Sequence, residues 1–213
     1  MTLPLPDDFG LYLVLTHPRA GYAACAEAAV AEGVRFLQLR MKGEPRAAVL
    51  RIARELRKIT AGSPTRFIVN DDVELAAESE ADGVHLGQSD LSLDEARRRW
   101  PVPGRIFGLS THNEQQVRAA AAAAPDYIGI GPIFPTPTKT PPDPTVGLEG
   151  LRRLLPLAPA PAVAIGGIDE SNLQRVRDAG ARNFAVVRAV CAAEDPRQAV
   201  RRLLELWRDV RRP

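Results

Sequence analysis

Residues 126–139 read DYIGIGPIFPTPTK, an apolar run that demands burial and then breaks abruptly into a loop of Gly, Pro and Thr ending on Lys139. Runs of the same kind, rich in Val, Ile and Leu, recur at 11–15, 36–41, 66–69, 83–86, 106–109, 127–130, 162–165 and 184–187. Near-continuous apolarity, rather than alternation, marks strands buried on both faces of a parallel sheet. Between them, 21–31 and 46–60 carry apolar residues at helical spacing, and 115–124 is rich in Ala, the best helix former. The segment 170–179 follows Asp169, an acceptable N-cap, and stops before Gly180, a C′ glycine. A last helix starts near Pro196 behind Asp195 as its cap. Eight strands alternating with helices predict one α/β domain over 1–213, a closed (β/α)8 TIM barrel with short loops. An open doubly wound sheet shares that alternation. Closure is favoured because no Gly-x-Gly-x-x-Gly turn follows the first run, and because polar residues gather after many strands instead of at one crevice.

Composition narrows the function classes. The chain of 213 residues is 45% hydrophobic and 25% charged, ordinary for a globular protein that needs neither disulfides nor a structural metal for stability. A net charge of +2 is too small to imply nucleic acid. Basic residues concentrate in the tail RRLLELWRDVRRP, where Leu203, Leu204 and Trp207 form an apolar stripe and the charges read as a solvated face. Cys25 and Cys191 make no disulfide framework, which fits a reducing compartment. The opening MTLPLPDDFG lacks a basic stretch followed by an apolar core, so no secretion signal is expected. No apolar run is long enough to span a bilayer, and a cytoplasmic location is the expectation.

The chemistry-bearing residues sit where the strands end. Only Lys42, Lys58 and Lys139 are lysines, so 25 of the 28 basic residues are arginine. A flexible ammonium can follow a moving phosphate, whereas guanidinium is a rigid fork; Lys42 and Lys139 therefore read as contacts to an anionic ligand. Gln38, Arg40 and Lys42 alternate with Leu39 and Met41, so strand periodicity puts them on one side, facing the barrel interior. Polar groups there need partners, which an anionic substrate or a network of neighbouring acids would supply. Asn70-Asp71-Asp72 and Gly87-Gln88-Ser89-Asp90 end adjacent strands. Asp71 and Asp90 converging beside cationic phosphate ligands make sense with Mg²⁺ between them, an ion held by one or two carboxylates, water and phosphate oxygens. The competing reading is helix capping, which is preferred for Asp72 and open for Asp71 and Asp90.

His85 and His112 read as hydrogen-bonded wall residues, and the histidine and cysteine spacing does not suit zinc. Ser110 lacks a Gly-x-Ser-x-Gly setting and is no nucleophile; it could donate to a phosphate or cap the next helix. Gly166-Gly167 after the seventh run and Val187-Arg188 after the eighth occupy the two loops that often bind phosphate in such barrels. Glycine there lets an anion approach backbone N–H groups. Two anion sites result, one metal-assisted and one metal-free. The loop carrying Thr136, Thr138 and Lys139 could close between them, or be an ordinary surface loop.

The ordered motifs LYLVLT, LQLRMKG, VNDDVELA, ADGVHLGQSD, FGLSTHN, DYIGIGPIFPTPTK, AIGGI and VVRAV resemble the thiamine-phosphate synthase family over nearly the whole chain. The resemblance implies a transferase of thiamine biosynthesis that joins 4-amino-2-methyl-5-hydroxymethylpyrimidine diphosphate to a thiazole phosphate and releases diphosphate. It assigns Gln38, Arg40, Lys42, Asn70, Ser110 and Lys139 to the pyrimidine diphosphate, and Asp71 and Asp90 to magnesium. Thr136, Thr138, Gly167, Val187 and Arg188 fall to the thiazole phosphate. Arg40, Lys42 and Lys139 are the residues expected to assist departure. Arg188 departs from the serine many relatives carry, and His17 from an aspartate, so His17 receives no role. The expected partners are the two substrates, with homo-oligomer formation left open and neither nucleic acid nor membrane among them. The rivals are a thiazole tautomerase of the same fold, with His112 as acid/base, and a non-catalytic thiazole- or thiamine-phosphate-binding module.

Overall fold

The computed structural model describes residues 5–138 and 143–209. Eight strands, β1 Gly10–Leu15, β2 Phe36–Leu39, β3 Arg66–Asn70, β4 Gly83–Leu86, β5 Ile106–Thr111, β6 Tyr127–Ile130, β7 Ala162–Ile165 and β8 Asn183–Val186, close into a parallel barrel in sequence order. Outside them run α1 Tyr22–Ala31, α2 Arg46–Thr60, α3 Val73–Glu78, α4 Leu93–Arg99, α5 Glu114–Ala123, α6 Gly147–Leu154, α7 Leu173–Asp178, α8 Arg188–Cys191 and α9 Pro196–Asp209. The expected closed barrel is present, and four strands, β1, β4, β6 and β7, end where the apolar runs do.

Burial on both faces explains the runs. Leu11, Leu13, Leu37, Leu39, Phe67, Val69, Val84 and Leu86 join the shell between sheet and helices. The alternate residues Tyr12, Val14, Phe36, Ile68, Ile106, Tyr127, Val163 and Ala185 fill the interior. Phe9, Phe36, Tyr12 and Tyr127 pack there as tilted and edge-on rings, with Phe9 and Phe36 centroids 4.4 Å apart. A closed sheet of eight strands leaves a core of this width, filled by side chains.

Departures from the expected bounds have local causes. The second strand stops at Leu39, although Arg40 N–H still donates to the Leu15 carbonyl at 2.9 Å. The fifth runs on to Thr111, whose hydroxyl donates to the Gly129 carbonyl at 2.9 Å. Asp169 caps a turn of its own, accepting from Ser171 N–H and hydroxyl at 2.9 and 2.6 Å, so α7 begins later with Asn172 at its N-cap position. Gly180 does follow α7 with φ 97°, and Asp195 accepts from Gln198 N–H at 2.9 Å ahead of the last helix. Asp72 caps α3 by accepting from Leu75 N–H at 2.7 Å. Ser110 caps nothing; Asn113 takes that place, accepting from Gln116 N–H at 2.9 Å. Cys25 and Cys191 are free and buried.

Two contacts join the ends of the chain. Asn183, fully buried, accepts from Phe9 and Gly10 N–H at 2.7 and 3.0 Å and donates to the Asp7 and Ala162 carbonyls at 3.0 and 3.1 Å. It thereby satisfies four backbone groups of two neighbouring chain segments, the stretch leading into β1 and the start of β7. The basic face of α9 is more than a solvated surface, because Arg197 and Arg201 both clamp Glu32 after α1, at 2.7 and 2.8 Å. Trp207 and Leu203 bury the opposite face, the Trp207 ring packing tilted against Phe184 with centroids 4.4 Å apart.

Replacing Asn183 by Leu strands several buried backbone groups, and stability measured by urea unfolding should fall by about 3 kcal/mol. For the clamp, Arg201 and then Arg197 hold the Glu32 carboxyl at about 2, below its ordinary 4.5. A depressed folded value stabilises above the unfolded pKa and is lost as pH falls through the folded one. The stability difference between the native protein and Glu32→Gln should therefore be constant near neutrality and shrink between about pH 4.5 and 2.

Candidate active site

Strands of a barrel bring their C-terminal ends to one mouth, and here that mouth is a cavity of about 960 Å³. Its wall includes Gln38, Arg40, Asn70, Ser110, Thr136, Thr138, Gly167, Val187 and Arg188. Nine residues read from separate strand ends and loops thus meet in one space.

The cations divide into two settings. Arg40 follows β2, half-buried, with no hydrogen bond or ion pair to its guanidinium among the described residues. Burial pulls its pKa down, and the charge of Asp71 partly opposes this. Arg188, exposed at the start of α8, likewise faces the cavity without a partner among the described residues. Lys42 behaves differently. The strand ends before it, alternation lapses, and its ammonium pairs with the Asp71 carboxylate at 2.8 Å on the rim, outside the cavity wall. Two residues of the Gln38–Arg40–Lys42 triplet thus face the cavity, and the third joins an acid of the next strand.

Asp71 and Asp90 do converge. Asp71 has φ 65°, a left-handed conformation that Asp tolerates better than most residues. Burial raises the pKa of its carboxyl, Lys42 lowers it, and Asp90 raises it again through hydrogen bonding and charge. Asp90 also accepts from Gly87 N–H at 2.6 Å, a tie within its own loop, while Ser92 caps α4. Among the described residues no group of three or more His, Cys, Asp or Glu is placed to share a metal.

The loops after β6 and β7 pack on each other. Gly166 and Gly167 have φ 103° and 64°, and a Cβ on Gly167 would lie 2.8 Å from Phe134 Cβ and the Pro135 carbonyl. Glycine is required here for close approach of the Pro132–Pro135 backbone as well as for its positive φ. Thr136 hydroxyl donates to that of Thr138 at 3.1 Å. Lys139 lies outside the described residues.

His85 and His112 are hydrogen-bonded wall residues, as expected. His112 Nδ1 lies 2.7 Å from the Gly131 carbonyl, with Nε2 3.8 Å from Asp143. His85 Nε2 lies 2.8 Å from Ser110 Oγ and Nδ1 2.9 Å from Tyr127 Oη. Tyr127 Oη is 2.7 Å from Tyr12 Oη, to which Gln38 Nε2 donates at 2.8 Å. Tyr12 and Tyr127 were invisible as site residues in the sequence. Their signal was only that apolar strands carried Tyr rather than Phe at inward positions. Gly108 makes the contact possible, since a Cβ there would run into both Tyr127 and His85.

Fold and cavity define a (β/α)8 barrel with its polar groups at the C-terminal mouth, the face on which such barrels do chemistry. The sequence matches the family described as thiamine monophosphate synthase over residues 11–190, and the chain belongs to that family. It is 47% identical over 195 residues to a thiamine-phosphate synthase of Gloeobacter violaceus, covering 92% of this chain and 56% of that protein. It is 41% identical over 205 residues to one from Vibrio campbellii, covering 95% of this chain and 100% of that protein. The chain thus spans little more than half of the first relative and the whole of the second. Thiamine phosphate pyrophosphorylase from Pyrococcus furiosus has the same fold, with a TM-score of 0.84, 32% identity, and coverage of 96% of this chain and 98% of that one. Among the described residues no helix is long and apolar enough to cross a membrane.

Gly108→Ala should overpack the His85–Tyr127 contact and cost about 1–3 kcal/mol. Thermal unfolding beside Gly62→Ala, whose added Cβ would meet nothing within 4 Å but has positive φ, separates crowding from backbone conformation.

Proposed function

We propose that the chain condenses 4-amino-2-methyl-5-hydroxymethylpyrimidine diphosphate with 4-methyl-5-(2-phosphoethyl)thiazole, or its carboxylated form, to give thiamine phosphate and diphosphate. Family membership supports the reaction. The observation that carries the site reading is Arg40, a half-buried guanidinium on the cavity wall with no bonded partner among the described residues. A cation kept there needs an anion to repay its desolvation, and the pyrimidine diphosphate is such an anion.

Asp71 and Asp90 fit Mg²⁺. They are two oxygen donors whose mutual repulsion, with burial, raises the Asp71 pKa, and a cation between them would relieve both effects. A pair without further protein ligands suits an ion that keeps water and substrate phosphate oxygens. When bound, the ion would neutralise charge on the diphosphate. Arg40 and Lys42 add fixed positive charge beside it, Lys42 exchanging Asp71 for a phosphate oxygen on its flexible stem. Lys139 would arrive from the loop after β6. Electrostatic assistance of this kind favours the state in which the carbon–oxygen bond to diphosphate has broken. The thiazole nitrogen then captures the pyrimidine carbocation, so no side-chain nucleophile is needed.

Gln38, Asn70 and Ser110 hold the pyrimidine half. Thr136, Thr138, Gly167, Val187 and Arg188 receive the thiazole phosphate on the opposite side of the cavity. Holding both reactants in one space supplies orientation, and the Pro-Thr loop keeps water from the cation. A tautomerase reading leaves the Lys42, Asp71 and Asp90 group without a task, as does a binding module.

A coupled assay with both substrates should show thiamine phosphate formation that requires Mg²⁺. Asp71→Ala and Lys139→Ala should each lower turnover on the order of a hundredfold or more with unchanged circular dichroism; near-normal turnover at saturating substrate would remove their roles. Arg188→Ser should raise KM for the thiazole phosphate at least about tenfold if the guanidinium binds it, and an unchanged KM excludes that contact.

A further inference from the structure

The barrel interior holds an unbroken hydrogen-bonded row from one side of the cavity to the other: Gln38, Tyr12, Tyr127, His85 and Ser110. Proton order along it follows from counting donors. Gln38 Nε2 donates to Tyr12 Oη at 2.8 Å. Tyr12 is buried, and among the described residues its hydroxyl proton has one remaining acceptor, Tyr127 Oη at 2.7 Å. Leaving that proton unpaired in the interior would cost about 1–3 kcal/mol. Tyr127 Oη, having accepted, turns its own proton to His85 Nδ1 at 2.9 Å. Nδ1 is then an acceptor, so a neutral ring carries its proton on Nε2 and donates to Ser110 Oγ at 2.8 Å. The remaining Ser110 proton must point away from His85, and Ser110 lines the cavity.

We propose that Tyr12, Tyr127 and His85 are positioning residues whose hydrogen-bond order holds Ser110 as a donor into the cavity, so that the ring bound there must offer Ser110 an acceptor. The assignment of that ring rests on the condensation reading above. An aminopyrimidine satisfies it with a ring nitrogen at Ser110, while Gln38 keeps an oxygen free for an amino group. A ring presenting N–H at the same place would meet a donor and be rejected, because a site built for one hydrogen-bond sense leaves the wrong ligand unpaired. Glycine at 108 gives the row its room, because a Cβ there would strike Tyr127 and His85.

The test begins without substrate. The ring-¹⁵N-labelled protein has three histidines, His17, His85 and His112, and two-bond ¹H–¹⁵N correlations at neutral pH report each tautomer, with His85→Gln identifying the signal. The expected result is a single Nε2–H tautomer at His85. An Nδ1–H tautomer, or a mixture, overturns the proposal, because the row would then run the other way or not be ordered. This readout stands or falls whether or not the condensation occurs. The second arm uses kinetics. Tyr127→Phe should mix the His85 tautomers and raise KM for the pyrimidine diphosphate about five- to tenfold, with kcat changed by less than about threefold. In a Ser110→Ala background the same substitution should raise KM no further, since its effect passes through Ser110. An unchanged KM in the first background, or an additive rise in the second, also overturns it. If Tyr127→Phe fails to fold, the tautomer of the unsubstituted protein decides.

Discussion

Closure of the sheet is the constraint from which the remaining structure follows. Once β8 pairs with β1, no strand edge is left, and the inward side chains share one enclosed interior. That space must be filled, and whatever polar atoms enter it must find partners among themselves. Asn183 meets the requirement at the seam, where its amide serves backbone groups from Asp7, Phe9, Gly10 and Ala162. The Gln38-to-Ser110 row meets it nearer the mouth. Packing and polarity are therefore settled by the same side chains, with aromatic bodies below and hydroxyl and amide tips above.

The mouth itself is organised by charge. Arg40 and Arg188 face the cavity unpartnered among the described residues, while Lys42 is drawn aside by Asp71. Asp71 in turn sits against Asp90, so a cation, an acid and a second acid stand in sequence along the rim of β2, β3 and β4. Burial makes such an arrangement costly when isolated, because desolvation acts on each charge before any pairing is gained. The group is best balanced with an added cation and a polyanion, which links its electrostatics to the proposed reaction. The loops after β6 and β7 close the other side by direct backbone packing, which is why Gly166 and Gly167 carry no side chain.

Much of this was legible in the residues. Eight apolar runs became eight strands because burial on both faces leaves a compositional mark that does not depend on what lies nearby. Asp72, Gly180 and Asp195 were readable as helix-end residues because caps are local, made within a few positions. Asp169 misled, since its side chain caps a turn and Asn172 takes the helix end instead. Lys42 was half-read: alternation holds only while the chain remains a strand, and β2 stops at Leu39.

The sequence by itself determined the element types, their order and the chemical inventory of the mouth, because periodicity, capping and residue chemistry act over a few positions. Only the tertiary structure decided which polar tips meet. Tyr12 and Tyr127 are 115 positions apart, and their 2.7 Å contact depends on closure and on the register of every strand between them. A hydrogen bond has a reach of about 3 Å, so a barrel closed with a different register would leave the same residues in separate environments.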